Sequence, residues 1–167
     1  MRIIVVADSH GDYRDLESIC MLHSEADLFI HLGDGIKEAA LLASSHPELK
    51  LLKVMGNCDY SDEKSVEIGF LEVQSHKIMY THGHRFEVKS REDRLLECAA
   101  QNGADIVLFG HTHEQCCEQR GKIRILNPGS VRFSNPPQFA IIDFVGDEAV
   151  CNVTCLGQRR RRSFLGL

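Results

Sequence analysis

Ile3-Ile4-Val5-Val6-Ala7-Asp8-Ser9-His10-Gly11 decides how the rest of the chain is read. Five apolar residues in an unbroken run have the pattern of a strand covered on both faces. The run then stops in a carboxylate, a hydroxyl, an imidazole and a glycine. Asp12 follows as a candidate cap for a helix over 13–23, where Leu16, Ile19, Cys20 and His23 keep the i, i+3, i+4, i+7 spacing of one face. Residues 28–32 read as a second strand. Ile36, Ala39, Ala40 and Ala43 mark a second helix, and 49–55 a third strand. Strands alternating with helices at this pitch predict a parallel α/β sheet.

The middle of the chain changes character. Residues 66–73 and 77–81 read as a strand pair turning near Ser75. A helix is expected from Ser90, with Ser90-x-x-Asp93 in the form of a capping box and Gly103 as its stop. Residues 105–109 form another apolar strand. From Glu114 the segments 115–118, 122–126, 139–145 and 149–155 are short and β-like, with Pro136-Pro137 in a loop. The chain thus opens as βαβαβ and closes in a β-rich half.

Bulk properties bound the answer. The chain has 167 residues, which suits one domain spanning 1–167, with a basic tail at about 157–167. A net charge of −5 gives no global affinity for nucleic acid or membranes. The run Arg159 to Arg162 reads as a solvated tail rather than a phosphate-binding patch. The seven cysteines are odd in number and form no CxxC pair, and Cys20 and Cys98 fall on apolar helix faces. That usage, with no export signal and no apolar span, predicts a cytoplasmic protein.

The polar residues carry the functional reading. Five strands each end in a cluster: Asp8-Ser9-His10-Gly11, Gly33-Asp34-Gly35, Gly56-Asn57-Cys58-Asp59, Thr81-His82-Gly83-His84 and Gly110-His111-Thr112-His113. The carboxyl ends of strands form the ligand crevice of an open α/β sheet, so the clusters are expected to converge. Asp, His and Asn are metal ligands, and Asp8/His10 and His111/His113 sit at i, i+2, which on extended backbone aims both the same way. These ligands are too many for one ion and suit two about 3.5–4 Å apart. Two divalent cations with Asp8, Asp34 and a bridging hydroxide leave a net charge of about +1, which attracts a phosphate ester. Taken singly, Asp8 suits a helix cap and Asn57 a turn. His31 reads as a satisfied core histidine, and His23, His46 and His76 receive no role.

Those five clusters resemble the D-x-H, GD, GN-[HC]-[DE], H and GHxH pattern of the calcineurin-like metallophosphoesterase superfamily. The chain's size, GNCD and Asn127-Pro128-Gly129-Ser130 are similar to the small YfcE-like phosphodiesterases. The resemblance implies a four-layer αββα sandwich. It implies that Asp8, His10 and His113 hold one metal, that Asn57, His82 and His111 hold the other, and that Asp34 bridges them. It further implies a pair of divalent ions, with Mn2+ first and Ni2+, Co2+, Fe2+, Zn2+ or Mg2+ as alternatives. The expected reaction is hydrolysis of a phosphodiester by metal-bound hydroxide, with Asn57 also near a phosphate oxygen and Ser130 shaping the pocket.

Cys58 departs from the phosphatase branch, which has His there. A thiol lacks the charge of imidazolium, so Cys58 is expected as a small filler beside the metals and a substrate contact, and Asp59 is left to cap or turn. His84 becomes the candidate acid or substrate contact. Diesters with good leaving groups follow as the expected substrates. The alternatives are a phosphomonoesterase or nucleotide phosphatase on the same site, and a non-catalytic scaffold of the retromer kind. The expected partner is a small phosphodiester, with nucleotides included and long nucleic acid excluded. A homodimer is compatible with the resemblance.

Overall fold

Strands that are apolar on both faces need cover on both faces, and the chain supplies it with a second sheet on one side and helices on the other. The computed structural model describes residues 1–60 and 66–157. The elements run β1 (Arg2–Val6), α1 (Tyr13–Leu22), β2 (Leu28–His31), α2 (Ile36–Ser45), β3 (Leu51–Lys53), β4 (Ile68–Val73) and β5 (His76–Thr81). A short 3-10 turn (His84–Phe86) leads to α3 (Asp93–Gln101), β6 (Ile106–Leu108), β7 (Gln115–Arg120), β8 (Ile123–Pro128), β9 (Gln138–Val145) and β10 (Glu148–Cys155). One sheet has the order β10-β9-β1-β2-β3, the other β4-β5-β6-β8-β7. Within them β1-β2-β3 and β5-β6-β8 are parallel, while β9, β10, β4 and β7 run antiparallel to their neighbours.

Three apolar clusters correspond to the three interfaces of an αββα sandwich. Ile3, Val5 and Ala7 point inward to meet Ile78, Ile106 and Leu108 of the other sheet. Ile4 and Val6, one residue out of phase, pack outward on Leu16, Ile19 and Leu42 of α1 and α2. Met79 and Val107 pack outward on Leu95 and Ala99 of α3. Full burial of such side chains stabilises the fold by about 1.5–3 kcal/mol each. The expected layers are therefore present, and the βαβαβ opening and β-rich ending stand. The crevice differs from the one expected at the end of a single sheet: it is the mouth of a sandwich, with β1, β2 and β3 on one side and β5 and β6 on the other.

Two local expectations need correction. The helix expected from Ser90 begins at Asp93, with Glu92 at its cap position and no side-chain cap bond. The N–H groups of Ser90 and Arg91 turn back to the Glu87 carbonyl at 2.8 and 3.2 Å, so Ser90 is used up in the preceding turn. Cys98 is half-buried rather than buried, whereas Cys20 is buried as expected. The capping of α1 by Asp12 holds, with its Oδ1 accepting from the Asp15 N–H at 3.2 Å, and Gly103 with φ +68° follows α3 as its stop. The arginine run at 159–162 and the loop at 61–65 lie outside the described residues.

Candidate metal centre

Among the described residues seven non-glycine positions have positive φ, and five of them are Asp8 (56°), His10 (38°), Asp34 (53°), His111 (69°) and His113 (62°). Left-handed backbone costs a residue with a Cβ about 1–3 kcal/mol, and it persists only where the surroundings over-determine it. Its concentration here revises the extended-backbone reason for pairing Asp8 with His10 and His111 with His113. The pairs do converge, but through left-handed turns just past the strand ends, not through strand pleat.

The hydrogen bonds that hold those turns come from neighbouring loops and from β8. The Asp8 main chain is tied by its N–H to the Gly33 carbonyl at 3.0 Å and by its carbonyl to the Ser130 hydroxyl at 2.9 Å. Buried Asn127 donates to the Gly110 carbonyl and the Thr112 hydroxyl, both at 3.0 Å, which fixes the His111–His113 turn. Asp59 does the most. Its carboxylate accepts the N–H groups of Asp34 (2.7 Å), Gly35 (3.0 Å), Ile36 (3.0 Å) and Gly56 (2.9 Å). It thereby caps α2 from another loop, since Gly35 has no side chain to do so. The two loops meet so closely that a Cβ on Gly56 would lie 2.0 Å from Asp34 Oδ1, and one on Gly33 would lie 2.6 Å from the Gly56 nitrogen.

The turns bring three donor groups together. Within each group the ligand atoms lie within 4.8 Å of one another: Asp8, His10 and His113; His10, Asp34 and Cys58; and Asp34, His82 and His111. Asn57 joins the last, with its Oδ1 3.2 Å from His82 Nε2. His82 is fully buried and gives its Nδ1–H to the Leu32 carbonyl at 2.7 Å, which turns Nε2 into the centre. There it lies 3.4 Å from Asp34 Oδ2. One oxygen of each carboxylate is engaged from behind: Asp8 Oδ2 by the His111 N–H at 3.1 Å, and Asp34 Oδ1 by the Cys58 N–H at 2.7 Å. The remaining oxygens face inward. His10 Nε2 is buried with no hydrogen-bond partner, 3.6 Å from Asp8 Oδ1 and 3.5 Å from Asp34 Oδ2. Lone pairs turned on one another across such gaps are held by protons or by cations, and divalent cations fit this donor set.

Electrostatics agree with a site built for cations. Burial raises the Asp34 carboxyl, but the His82 imidazole and the Cys58 N–H outweigh it and hold the group well below the usual carboxylate range. Burial is the largest influence on Asp8 and pushes it up, with His82 and His113 pulling the other way. His82 is lowered by burial but raised overall by Asp34 and Asp8. Burial and the neighbouring His82 push His111 down to about 4.

Every residue expected at the site lies around this centre. Asn57 and Cys58 are exposed on its rim, with Asn57 Nδ2 3.2 Å from Cys58 Sγ. His84 is in none of the three groups. Its ring lies 5.3 Å from that of His82, and its Nδ1 is buried without a partner. His31 is the satisfied core residue it was expected to be: it accepts from the Gly33 N–H at 3.2 Å, which leaves Nε2–H for Ser9 Oγ at 3.0 Å. His46 and His76 pair with Glu17 and Asp105, away from the centre. Phe133 was not singled out in the sequence. Though 62% exposed, it stacks on His113 with ring centroids 5.0 Å apart and leans on His10 at 4.9 Å. Its only signal is an isolated aromatic in a polar loop just after Asn127-Pro128-Gly129-Ser130.

A cleft of about 240 Å³ opens beside the centre between Gly11, Gly35, Lys37, Cys58 and Tyr60. A larger one, about 520 Å³, lies between the sheets at their other ends, around His76, Asp105, Lys122 and Arg124. None of the three donor groups contributes to it.

Residues 1–147 match the family model of the calcineurin-like phosphoesterase superfamily domain. The chain is 36% identical to the Bacillus subtilis protein named "Probable metallophosphoesterase YsnB" over 155 residues, 89% of this chain and 88% of that one. It is 27% identical to the Escherichia coli (strain K12) protein named "Phosphodiesterase YfcE" over 169 residues, 86% of this chain and 88% of that one. A crystal structure of a predicted phosphoesterase from Streptococcus pneumoniae superposes with a TM-score of 0.78 at 28% identity, covering 92% of this chain and 88% of the other.

Proposed function

Because the chain belongs to the calcineurin-like phosphoesterase superfamily, we propose that it is a dinuclear metal-dependent phosphodiesterase. The observation that carries this reading is the place of Asp34 Oδ2, 3.5 Å from His10 Nε2 of the group with Asp8 and His113 and 3.4 Å from His82 Nε2 of the group with His111. Asp8, His10 and His113 hold one divalent cation. Asn57, His82 and His111 hold the other, and Asp34 joins them. Manganese is the proposed occupant, with nickel, cobalt, iron, zinc and magnesium as substitutes for the same mixed oxygen and nitrogen donors. A bound pair of such ions polarises the phosphoryl oxygens and lowers the pKa of water at neutral pH.

The chain's own residues position the ester. The Leu32 carbonyl and the Cys58 and His111 N–H groups keep the imidazole and the two carboxylates aimed inward before substrate arrives. Asn57 lies on the rim, where its amide reaches a phosphate oxygen. Burial, then the charge of His82 and Arg85, lowers His84, which disfavours imidazolium. We therefore give His84 a hydrogen bond to the phosphate rather than the role of acid. Without a strong acid, esters with good leaving groups react best. The net charge of −5 favours a small phosphodiester, nucleotides included, over a long nucleic acid. No helix among the described residues is long and apolar enough to cross a membrane. Free cysteines throughout the described residues support the cytosol as its compartment.

The test uses EDTA-stripped protein with manganese restored, on bis-(p-nitrophenyl) phosphate beside the p-nitrophenyl monoester. Metal-dependent turnover of the diester in excess of the monoester is expected. Preference for the monoester would establish the phosphatase alternative. Bound metal without turnover of either ester would favour a scaffold. In the same assay Cys58→His should raise the monoester-to-diester ratio by about a hundredfold, the low end of what a positioned acid contributes. An unchanged ratio counts against the role given to this position.

A further inference from the structure

We infer that Cys58, His10 and Asp34 form an alternative metal position that takes a thiophilic divalent cation, such as zinc or cadmium, in competition with the productive pair. The inference rests on the dinuclear reading in one respect, that His10 and Asp34 serve both arrangements.

The ligand atoms of the three residues already lie within 4.8 Å of one another. Donors around one zinc ion stand about 2.0–2.3 Å from it, so only small adjustments close the set. The thiol is held in place, because the Cys58 N–H is bonded to Asp34 Oδ1 at 2.7 Å and Asn57 Nδ2 lies 3.2 Å from Sγ. It is also reachable. Cys58 is exposed and lines the cleft together with His10 and Asp34, so an arriving hydrated cation meets it before the buried His82. Sulfur selects soft cations over manganese or magnesium. On binding, the S–H bond breaks, its proton leaves to solvent, and a sulfur–metal bond forms with no change of oxidation state. His10 presents a single nitrogen, Nε2, to the centre, so it cannot serve Cys58's cation and the productive pair together. A cation on Cys58 therefore takes His10 away from Asp8 and His113 and breaks up the productive pair.

The test needs no turnover for its main readout. Metal-free protein is titrated with cadmium and with cobalt while the ultraviolet sulfur-to-metal charge-transfer absorption is followed, at shorter wavelength for cadmium than for cobalt. The wild type should develop the band, and so should Cys155→Ser, which removes the other exposed cysteine of the described residues. Cys58→Ser and Cys58→Ala should both lose it. In the manganese enzyme, the cadmium concentration that halves diester turnover should rise about tenfold or more in Cys58→Ser, relative to that variant's own rate. A band that survives both Cys58 substitutions, or bound cadmium with no band in the wild type, overturns the inference and leaves the phosphodiesterase reading intact. Failure of the protein to bind any of these cations overturns both.

Discussion

Asp34→Asn is expected to lower metal-dependent diester turnover by about a thousandfold or more while the protein stays folded. Asp34 is the carboxylate common to two donor groups, with one oxygen held by the Cys58 N–H and the other facing His10 and His82. Asparagine keeps the shape but removes the charge and turns either a weaker oxygen or an N–H toward the cations. Paired cations are worth several kcal/mol of transition-state stabilisation, and each 1.36 kcal/mol is about tenfold in rate, which gives the expected size. Initial rates on the aryl diester, with a far-ultraviolet spectrum to verify folding, decide it. A variant retaining more than about a tenth of the rate would remove Asp34 from the bridging position.

Asp59→Ala is expected to cost about 2–4 kcal/mol of stability and to weaken metal binding by about 10–100-fold, although Asp59 belongs to none of the donor groups. Four main-chain N–H groups converge on its carboxylate, three from the turn that carries Asp34 and begins α2, and one from Gly56. Removing it leaves these donors without their acceptor at the point where Asp34 holds a left-handed φ of 53°. Asp59→Asn keeps one carbonyl acceptor and should fall between alanine and wild type. Thermal unfolding and a manganese titration of the three proteins check both parts. Unchanged metal affinity in the alanine variant would show that the Asp34 turn holds without this anchor.

The contrast between Asp34 and Asp59 shows what the sequence makes legible. The unbroken apolar run before Asp8 specifies a strand covered on both faces, and the phase difference between Ile3 and Ile4 is already an instruction to pack in two directions. Asp8, His10, Asp34, His82, His111 and His113 are legible because Asp and His at glycine-flanked strand ends have few other uses. Asn57 and Cys58 are legible as neighbours of the centre for the same reason. The pairing of strands into two sheets is less so, since antiparallel β9 beside β1 joins residues more than 130 apart in sequence. Left-handed backbone at Asp8 and His111 is opaque in sequence because neither residue type demands it; the Ser130 hydroxyl and, from β8, the Asn127 amide tie these turns by contacts that local sequence does not announce. Asp59 read only as a cap or turn for want of knowing whose N–H groups it would meet. Phe133 has no pattern to mark it until His10 and His113 lie beneath its ring.

If two cations share Asp34, a count of the ions bound per chain separates that arrangement from a single-ion centre. Metal-free protein is titrated with manganese, the bound metal is counted by elemental analysis, and the pair is examined by electron paramagnetic resonance. About two manganese ions per chain are expected, close enough to give a spin-coupled spectrum, with diester turnover rising as the coupled signal rises. A single uncoupled manganese per chain at full diester turnover would contradict that arrangement.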